Sequence, residues 1–108
     1  MNTDEIIQEV TRRLVEGFHP RRVILFGSQA RGTADERSDV DLIVIMDLSP
    51  DQDRLEVSTR MSRCLRGLMV GCDIILFTEA EYDRECRIPG TAARYASREG
   101  KTLYARAA

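Results

Sequence analysis

The sequence holds few of the residues from which small metal centres and disulfide-rich domains are built. It has one histidine, His19, and three cysteines, Cys64, Cys72 and Cys86, which stand at no metal-ligand spacing. We therefore expect neither a Cys/His metal site nor a disulfide framework, but free thiols in a reducing cytosol. His19 precedes a proline in a predicted loop and is not expected to act as a metal ligand or a general base.

Long apolar runs are missing as well. No apolar stretch approaches the roughly 20 residues that a membrane-spanning helix needs. The first ten residues, MNTDEIIQEV, carry no basic region followed by an apolar run, so no signal peptide is expected. These two features predict a cytoplasmic protein that makes no contact with a membrane.

The sequence also lacks an excess of positive charge. Sixteen basic residues stand against 18 acidic ones, a net charge of −2, which disfavours a protein that coats nucleic acid, and we expect no direct DNA binding. Lysine is nearly absent, because Lys101 is the only one. The other basic residues are arginines, which bind phosphate and carboxylate at two points. Genome base composition is the explanation that we favour for this bias, although individual arginines can still have a role.

The apolar residues that are present predict an α/β (α+β) fold. The length of 108 residues and the 43% apolar content predict a single domain over residues 1–108 with one core. The apolar spacing alternates between helical and strand periods, which is typical of helices packed on a small sheet of three or more strands. The directions of strand pairing stay open. Predicted helices cover 3–17, 50–67, 78–87 and 91–99, and predicted strands cover 22–27, 39–46, 70–77 and, as a short strand or a docked extension, 101–104.

Two capping signals mark helix starts after the second predicted strand. Ser49 as N-cap, Pro50 at the first helical position and Gln52 two residues after the proline predict a helix that runs to about residue 67. Thr78 followed by Glu81 is a capping box and predicts the short helix that ends near residue 87.

Three aspartates accompany the second and third predicted strands. Asp39 and Asp41 share one face of an extended chain, about 6.5 Å apart, directly before an apolar run. Either a bound cation neutralises them, or they lie as turn residues at an exposed strand mouth, helped by Ser38. Asp73 is the only charge in the third strand and is expected to be buried and to need a partner. If these strands are neighbours, the carboxylates suit Mg²⁺, and two such ions serve in-line displacement at phosphorus.

The end of the first strand offers a second polar feature. Gly27 lets the backbone approach a ligand closely, and the helical turn that follows directs free N–H groups toward an anion. The Ser28 hydroxyl can donate to a phosphate oxygen. By itself this combination is common in proteins.

Together these residues resemble a known family. Gly27-Ser28, ten intervening residues and Asp39-Val40-Asp41 match the GS-x10-DxD signature of the DNA polymerase β-like nucleotidyltransferase superfamily. The segment ILFGSQARGTADERSDVDLIV is similar to the minimal nucleotidyltransferase group, and Asp73 is similar to the third carboxylate of the family. The resemblance covers roughly residues 3–104 and implies a small mixed sheet with flanking helices, the palm of these enzymes.

The resemblance also implies roles for these residues. Gly27 and Ser28 would hold the β- and γ-phosphates of a nucleoside triphosphate, expected to be ATP. Asp39 and Asp41 would bridge two Mg²⁺ ions, and Asp73 would bind the first ion and help to deprotonate the acceptor hydroxyl.

Further residues are weaker candidates. Arg31 is expected to contact a phosphate, and Arg37 is near enough in sequence to the aspartates to reach the substrate. Tyr82, Tyr95 and Tyr104 either stack on a base or, as we favour, pack in the core.

Members of the minimal group pair with HEPN-domain toxins and are thought to silence them by transferring AMP to a tyrosine. The resemblance therefore implies an antitoxin enzyme with a HEPN toxin as partner, as a homo-oligomer or a hetero-oligomer with that toxin. Two alternatives stay open: a free-standing transferase that acts on a small molecule or RNA, and a non-catalytic module that blocks a toxin by binding it.

Overall fold

The computed structural model describes residues 2–32, 39–68 and 70–107, and gives the backbone alone for Ser28 and Arg31. Within this part of the chain the strands form one sheet in the order β3-β2-β1-β4. None of the described helices has the length and apolar character needed to cross a bilayer. In chain order the elements are α1 (Thr3–Phe18), β1 (Arg22–Phe26), α2 (Ser28–Arg31), β2 (Val40–Ile45), α3 (Arg54–Cys64), β3 (Cys72–Phe77), α4 (Glu79–Glu85), α5 (Ala92–Glu99) and β4 (Lys101–Ala105).

The sheet is mixed, which confirms the predicted α/β class. β1 is antiparallel to both β2 and β4, with Phe26 opposite Asp41 and Leu25 opposite Lys101. β2 and β3 are parallel, and Asp41 stands opposite Asp73. The segment that joins β2 to β3 contains α3, as a crossover between parallel strands requires. The beginnings of β2 and β3 and the end of β1 therefore lie at one edge of the sheet.

Helices cover the two faces of the sheet unequally. On one face α1 and α3 contribute fully buried side chains such as Leu14 and Met61, which belong to one cluster with Leu42 of β2. On the other face the shorter helices α4 and α5 contribute Tyr82 and Ala96 to a smaller cluster with Ile43 and Ile45. Side chains alternate along a strand, so Asp41 lies on this second face, in line with Ile43.

The predicted start of α3 is wrong by several residues. The Ser49 N–H donates to Gln52 Oε1 at 2.8 Å, and the Gln52 N–H donates to the Ser49 carbonyl at 3.1 Å. This pair therefore closes a separate turn. The helix begins after Asp53, whose carboxylate accepts from the Leu55 N–H at 2.9 Å and so supplies the N-cap.

The end of α3 also differs from the prediction. The helix stops at Cys64 rather than near residue 67, and a turn that contains Gly67 at φ +87° follows. Arg13 of α1 donates to the carbonyls of Cys64 and Arg66 at 3.1 and 2.9 Å. A long-range contact from α1 thus satisfies free carbonyls at the end of α3, as helix ends require.

The predicted capping box at the start of α4 is confirmed. The Thr78 hydroxyl accepts from the Glu81 N–H, and the Glu81 carboxylate accepts from the Thr78 N–H. Arg54 of α3 donates to both Glu81 oxygens at 2.8 Å and to the Leu76 carbonyl at 2.7 Å. Local capping and one tertiary ion pair therefore act on the same carboxylate.

We expect Leu42→Ala to lower the free energy of unfolding by about 2–5 kcal/mol, because it leaves a cavity in the middle of β2, where Leu42 is fully buried. Leu55→Ala is the matched control, since Leu55 is 74% exposed and its loss should change stability by less than about 0.5 kcal/mol. Urea denaturation of the two variants measures the difference. Equal losses would contradict this description of the core.

Candidate active site

The site predicted from the sequence lies at the sheet edge where β1 ends and β2 and β3 begin. Parallel pairing sets Asp41 opposite Asp73, and antiparallel pairing sets Asp41 opposite Phe26, the residue before Gly27. Asp39 directly precedes β2 at the same edge. The three aspartates and the glycine, which are separated in the sequence, are therefore neighbours in the fold.

Gly27 and Asp41 are in close contact. Gly27 has φ +75°, a left-handed conformation that favours glycine. A Cβ atom at this position would overlap Oδ2 of Asp41, and its distance to Cγ would be 3.3 Å. The carboxylate thus occupies space that any other residue at position 27 would fill.

Negative charge accumulates at this edge. The pKa of Asp41 is raised, first by burial of the carboxyl group and then by the charges of Asp73 and Asp39. Among the residues whose side chains the structure describes, no cation forms an ion pair with any of these three carboxylates. Among these described side chains the negative charge of the site is uncompensated, and a bound cation would relieve it.

The prediction that Asp73 is buried is wrong. Asp73 is exposed, because β3 is an edge strand in which only Leu76 is buried. Cys72 points to the opposite face and packs against the larger core cluster, as its alternation with Asp73 predicts. Asp39 is exposed too, whereas Asp41 is half-buried within β2 and is not a turn residue.

The donor set fits Mg²⁺ better than a metal held by protein alone. Within the described ranges, no three His, Cys, Asp or Glu side chains are already grouped tightly enough to enclose a metal ion. Mg²⁺ commonly takes one or two carboxylates and completes its octahedron with water and substrate phosphates. Open carboxylates of the kind found here meet that requirement.

The segment after Gly27 begins the short helix α2. Ala30 is buried in the larger core cluster and anchors this turn against the sheet. The predicted contacts of Ser28 and Arg31 concern side chains that the structure does not describe, and Arg37 and Ser38 lie outside the described residues.

The remaining candidates lie away from the carboxylates or pack in the fold. His19 is the C-cap of α1, in a left-handed conformation at φ 49°. Tyr82 is buried against Phe77, with ring centroids 6.1 Å apart, and Tyr104 is half-buried against the larger core cluster. Tyr95 lines an open groove along α5.

Sequence reasoning missed one residue of this edge, Gly71. Its position opposite Asp39 depends on the parallel register of β2 and β3, which the sequence left open. A glycine near the start of the predicted strand 70–77 was the only local signal.

Comparison with known proteins agrees with this geometry. The family model "Nucleotidyltransferase domain" matches residues 4–93. A protein of Methanocaldococcus jannaschii, provisionally named a protein adenylyltransferase, is 30% identical over 106 residues, which are 96% of this chain and 100% of that protein.

Two solved structures share the fold. A crystal structure from Sulfolobus solfataricus, provisionally described as a nucleotidyltransferase, has a TM-score of 0.64 at 22% identity and covers 94% of this chain and 79% of its own. A toxin–antitoxin structure with AMP-PNP has a TM-score of 0.54 at 22% identity and covers 92% of this chain and 73% of its own. The family match, the full-length relative and the shared fold lead to one conclusion: the chain belongs to the nucleotidyltransferase domain family and is a nucleotidyltransferase.

Proposed function

We propose that this nucleotidyltransferase uses Mg²⁺ to transfer AMP from ATP to a hydroxyl group on a protein. The acceptor that we propose is a tyrosine of a HEPN-domain toxin, for which this chain is the antitoxin. The observation that carries the proposal is the parallel register that sets Asp41 opposite Asp73, with Asp39 and Gly27 beside them. Carboxylates grouped in this way can hold the two metal ions that in-line displacement at phosphorus uses.

In the proposed reaction the acceptor oxygen attacks the α-phosphorus as the bond to pyrophosphate breaks. Asp39 and Asp41 would hold two Mg²⁺ ions, which neutralise charge on the phosphates and orient the attack when they are bound. Gly27 has no side chain that would keep the triphosphate away from the backbone. Asp73 would bind one of the two ions and would help to accept the proton of the acceptor hydroxyl. Positioning and charge therefore supply most of the rate enhancement.

The openness of the site supports a protein acceptor. Asp39 and Asp73 are exposed, so a side chain that protrudes from a second protein can approach the carboxylates without a conformational change. The relative of similar length carries the name of a protein adenylyltransferase, and a toxin–antitoxin structure shares the fold.

We further propose a reducing, cytoplasmic location, because Cys64, Cys72 and Cys86 are free thiols.

We expect the purified chain to add AMP to a HEPN-domain partner, sought first as the product of an adjacent gene, when ATP and Mg²⁺ are present. Intact mass measurement of the partner, followed by peptide mapping, identifies the acceptor. Asp39→Asn combined with Asp41→Asn should abolish the transfer, because it removes both metal-binding charges but keeps the side-chain shapes.

The outcomes separate the alternatives. Transfer to a small molecule or RNA in place of the partner would favour a free-standing transferase. Tight binding of the partner without any transfer would favour inhibition by occlusion. Modification at the wild-type rate by the double variant would contradict the proposed mechanism.

The same carboxylates should lower the stability of the folded protein when no metal is bound. The raised pKa of Asp41 means that the folded protein binds this proton more tightly than the unfolded chain does. Its contribution to stability is therefore most favourable at low pH and is lost as pH rises through the ordinary value of 3.8 to the folded pKa.

We accordingly expect Asp41→Asn to be at least as stable as wild type at pH 7 in EDTA, and its advantage to shrink as pH falls through the raised folded pKa toward about 4. Urea denaturation across this pH range measures both effects. A variant markedly less stable than wild type at pH 7 would instead assign Asp41 a structural role.

A further inference from the structure

We propose that Gly71 is a positioning residue for Asp39, an inference that rests on the proposed function. The missing side chain at position 71 reserves the space in which the Asp39 carboxylate lies. A Cβ atom on residue 71 would lie 2.5 Å from Oδ1 of Asp39, 3.2 Å from Cγ and 3.8 Å from Oδ2. Ordinary van der Waals contact of a Cβ atom begins at about 3.4 Å, so the carboxylate and a methyl group at position 71 exclude each other.

The backbone at position 71 does not itself require glycine. Gly27, Gly32, Gly67 and Gly90 adopt positive φ angles, but Gly71 does not. It is also exposed to solvent, so no core packing forbids a larger residue. Because glycine costs conformational entropy on folding, a residue with a side chain would be favoured here on backbone grounds. The space taken by Asp39 is the remaining reason for glycine.

The backbone of Gly71 is also held in place. The Val40 N–H donates to the Gly71 carbonyl at 2.8 Å, and Val40 is fully buried and paired with Cys72. A methyl group at position 71 therefore cannot be accommodated by withdrawal of this strand. The Asp39 carboxylate must move instead, which a rotation of its exposed side chain allows.

This movement should change the stability of the fold little, but it should strongly weaken metal binding and slow AMP transfer. Folding does not depend on the direction of an exposed carboxylate that lacks an ion pair with any described cation. Metal binding and phosphoryl transfer do depend on it, since a misplacement of about 1 Å can lower a rate by a factor of about 100. The proposed role is thus to fix the position of one ligand by leaving space for it.

We expect Gly71→Ala to unfold in urea, in EDTA, at a midpoint no lower than that of wild type. Its affinity for Mn²⁺ in the presence of AMP-PNP, measured by calorimetry, should fall about 10- to 100-fold, as for other changes that disturb the orientation of a metal ligand. The kcat for AMP transfer at saturating ATP should fall in parallel. Gly17→Ala is the matched control, because Gly17 is exposed in α1 and a Cβ atom there would meet no other atom within 4 Å. This control should keep wild-type Mn²⁺ affinity.

A double-mutant cycle with Asp39→Ala tests whether Gly71 acts through Asp39. In the Asp39→Ala background the carboxylate is gone, so Gly71→Ala should cause no further loss of Mn²⁺ affinity. A wild-type Mn²⁺ affinity for Gly71→Ala, or an equal loss in both backgrounds, would overturn the positioning role, and so would a loss of stability that persists in the Asp39→Ala background. If Asp39→Ala itself left Mn²⁺ affinity and AMP transfer unchanged, the proposed function would fail instead.

Discussion

The parallel pairing of β2 with β3 is the interaction on which the rest of the structure depends. It requires a crossover, which α3 provides, and α3 in turn packs on α1 over the larger core cluster. The same register sets Asp41 beside Asp73 and leaves Gly71 opposite Asp39. One set of backbone hydrogen bonds thus joins the edge strand β3 to the sheet and brings the carboxylates together.

The carboxylate edge works against the stability that the core supplies. Burial and two neighbouring charges raise the pKa of Asp41, which shows that its ionised form is disfavoured in the folded protein. The cost stays tolerable because Asp39 and Asp73 are exposed to water. The sheet concentrates its apolar side chains further along β2, where Ile43 and Ile45 are covered by α4 and α5.

Two glycines shape the space around these carboxylates in different ways. Gly27 is required both by its left-handed backbone and by its contact with Asp41, whereas Gly71 is required by its contact with Asp39 alone. Both positions make room for oxygen atoms without adding a ligand. Of the described carboxylates at this edge, those of Asp39 and Asp73 face solvent.

The sequence alone predicts most of the helices and strands, and it supplies the candidate residues for the chemistry. Apolar periodicity and the Thr78 cap are local properties, and the spacing of Gly27, Asp39 and Asp41 belongs to a family pattern. The start of α3 was misplaced because the Ser49 turn satisfies its own hydrogen bonds, a competition that local signals do not resolve. The tertiary structure was needed to establish the strand directions, the exposure of Asp73 on an edge strand and the close contact of Gly71 with Asp39. These features follow from contacts between segments distant in the chain, which no local preference encodes.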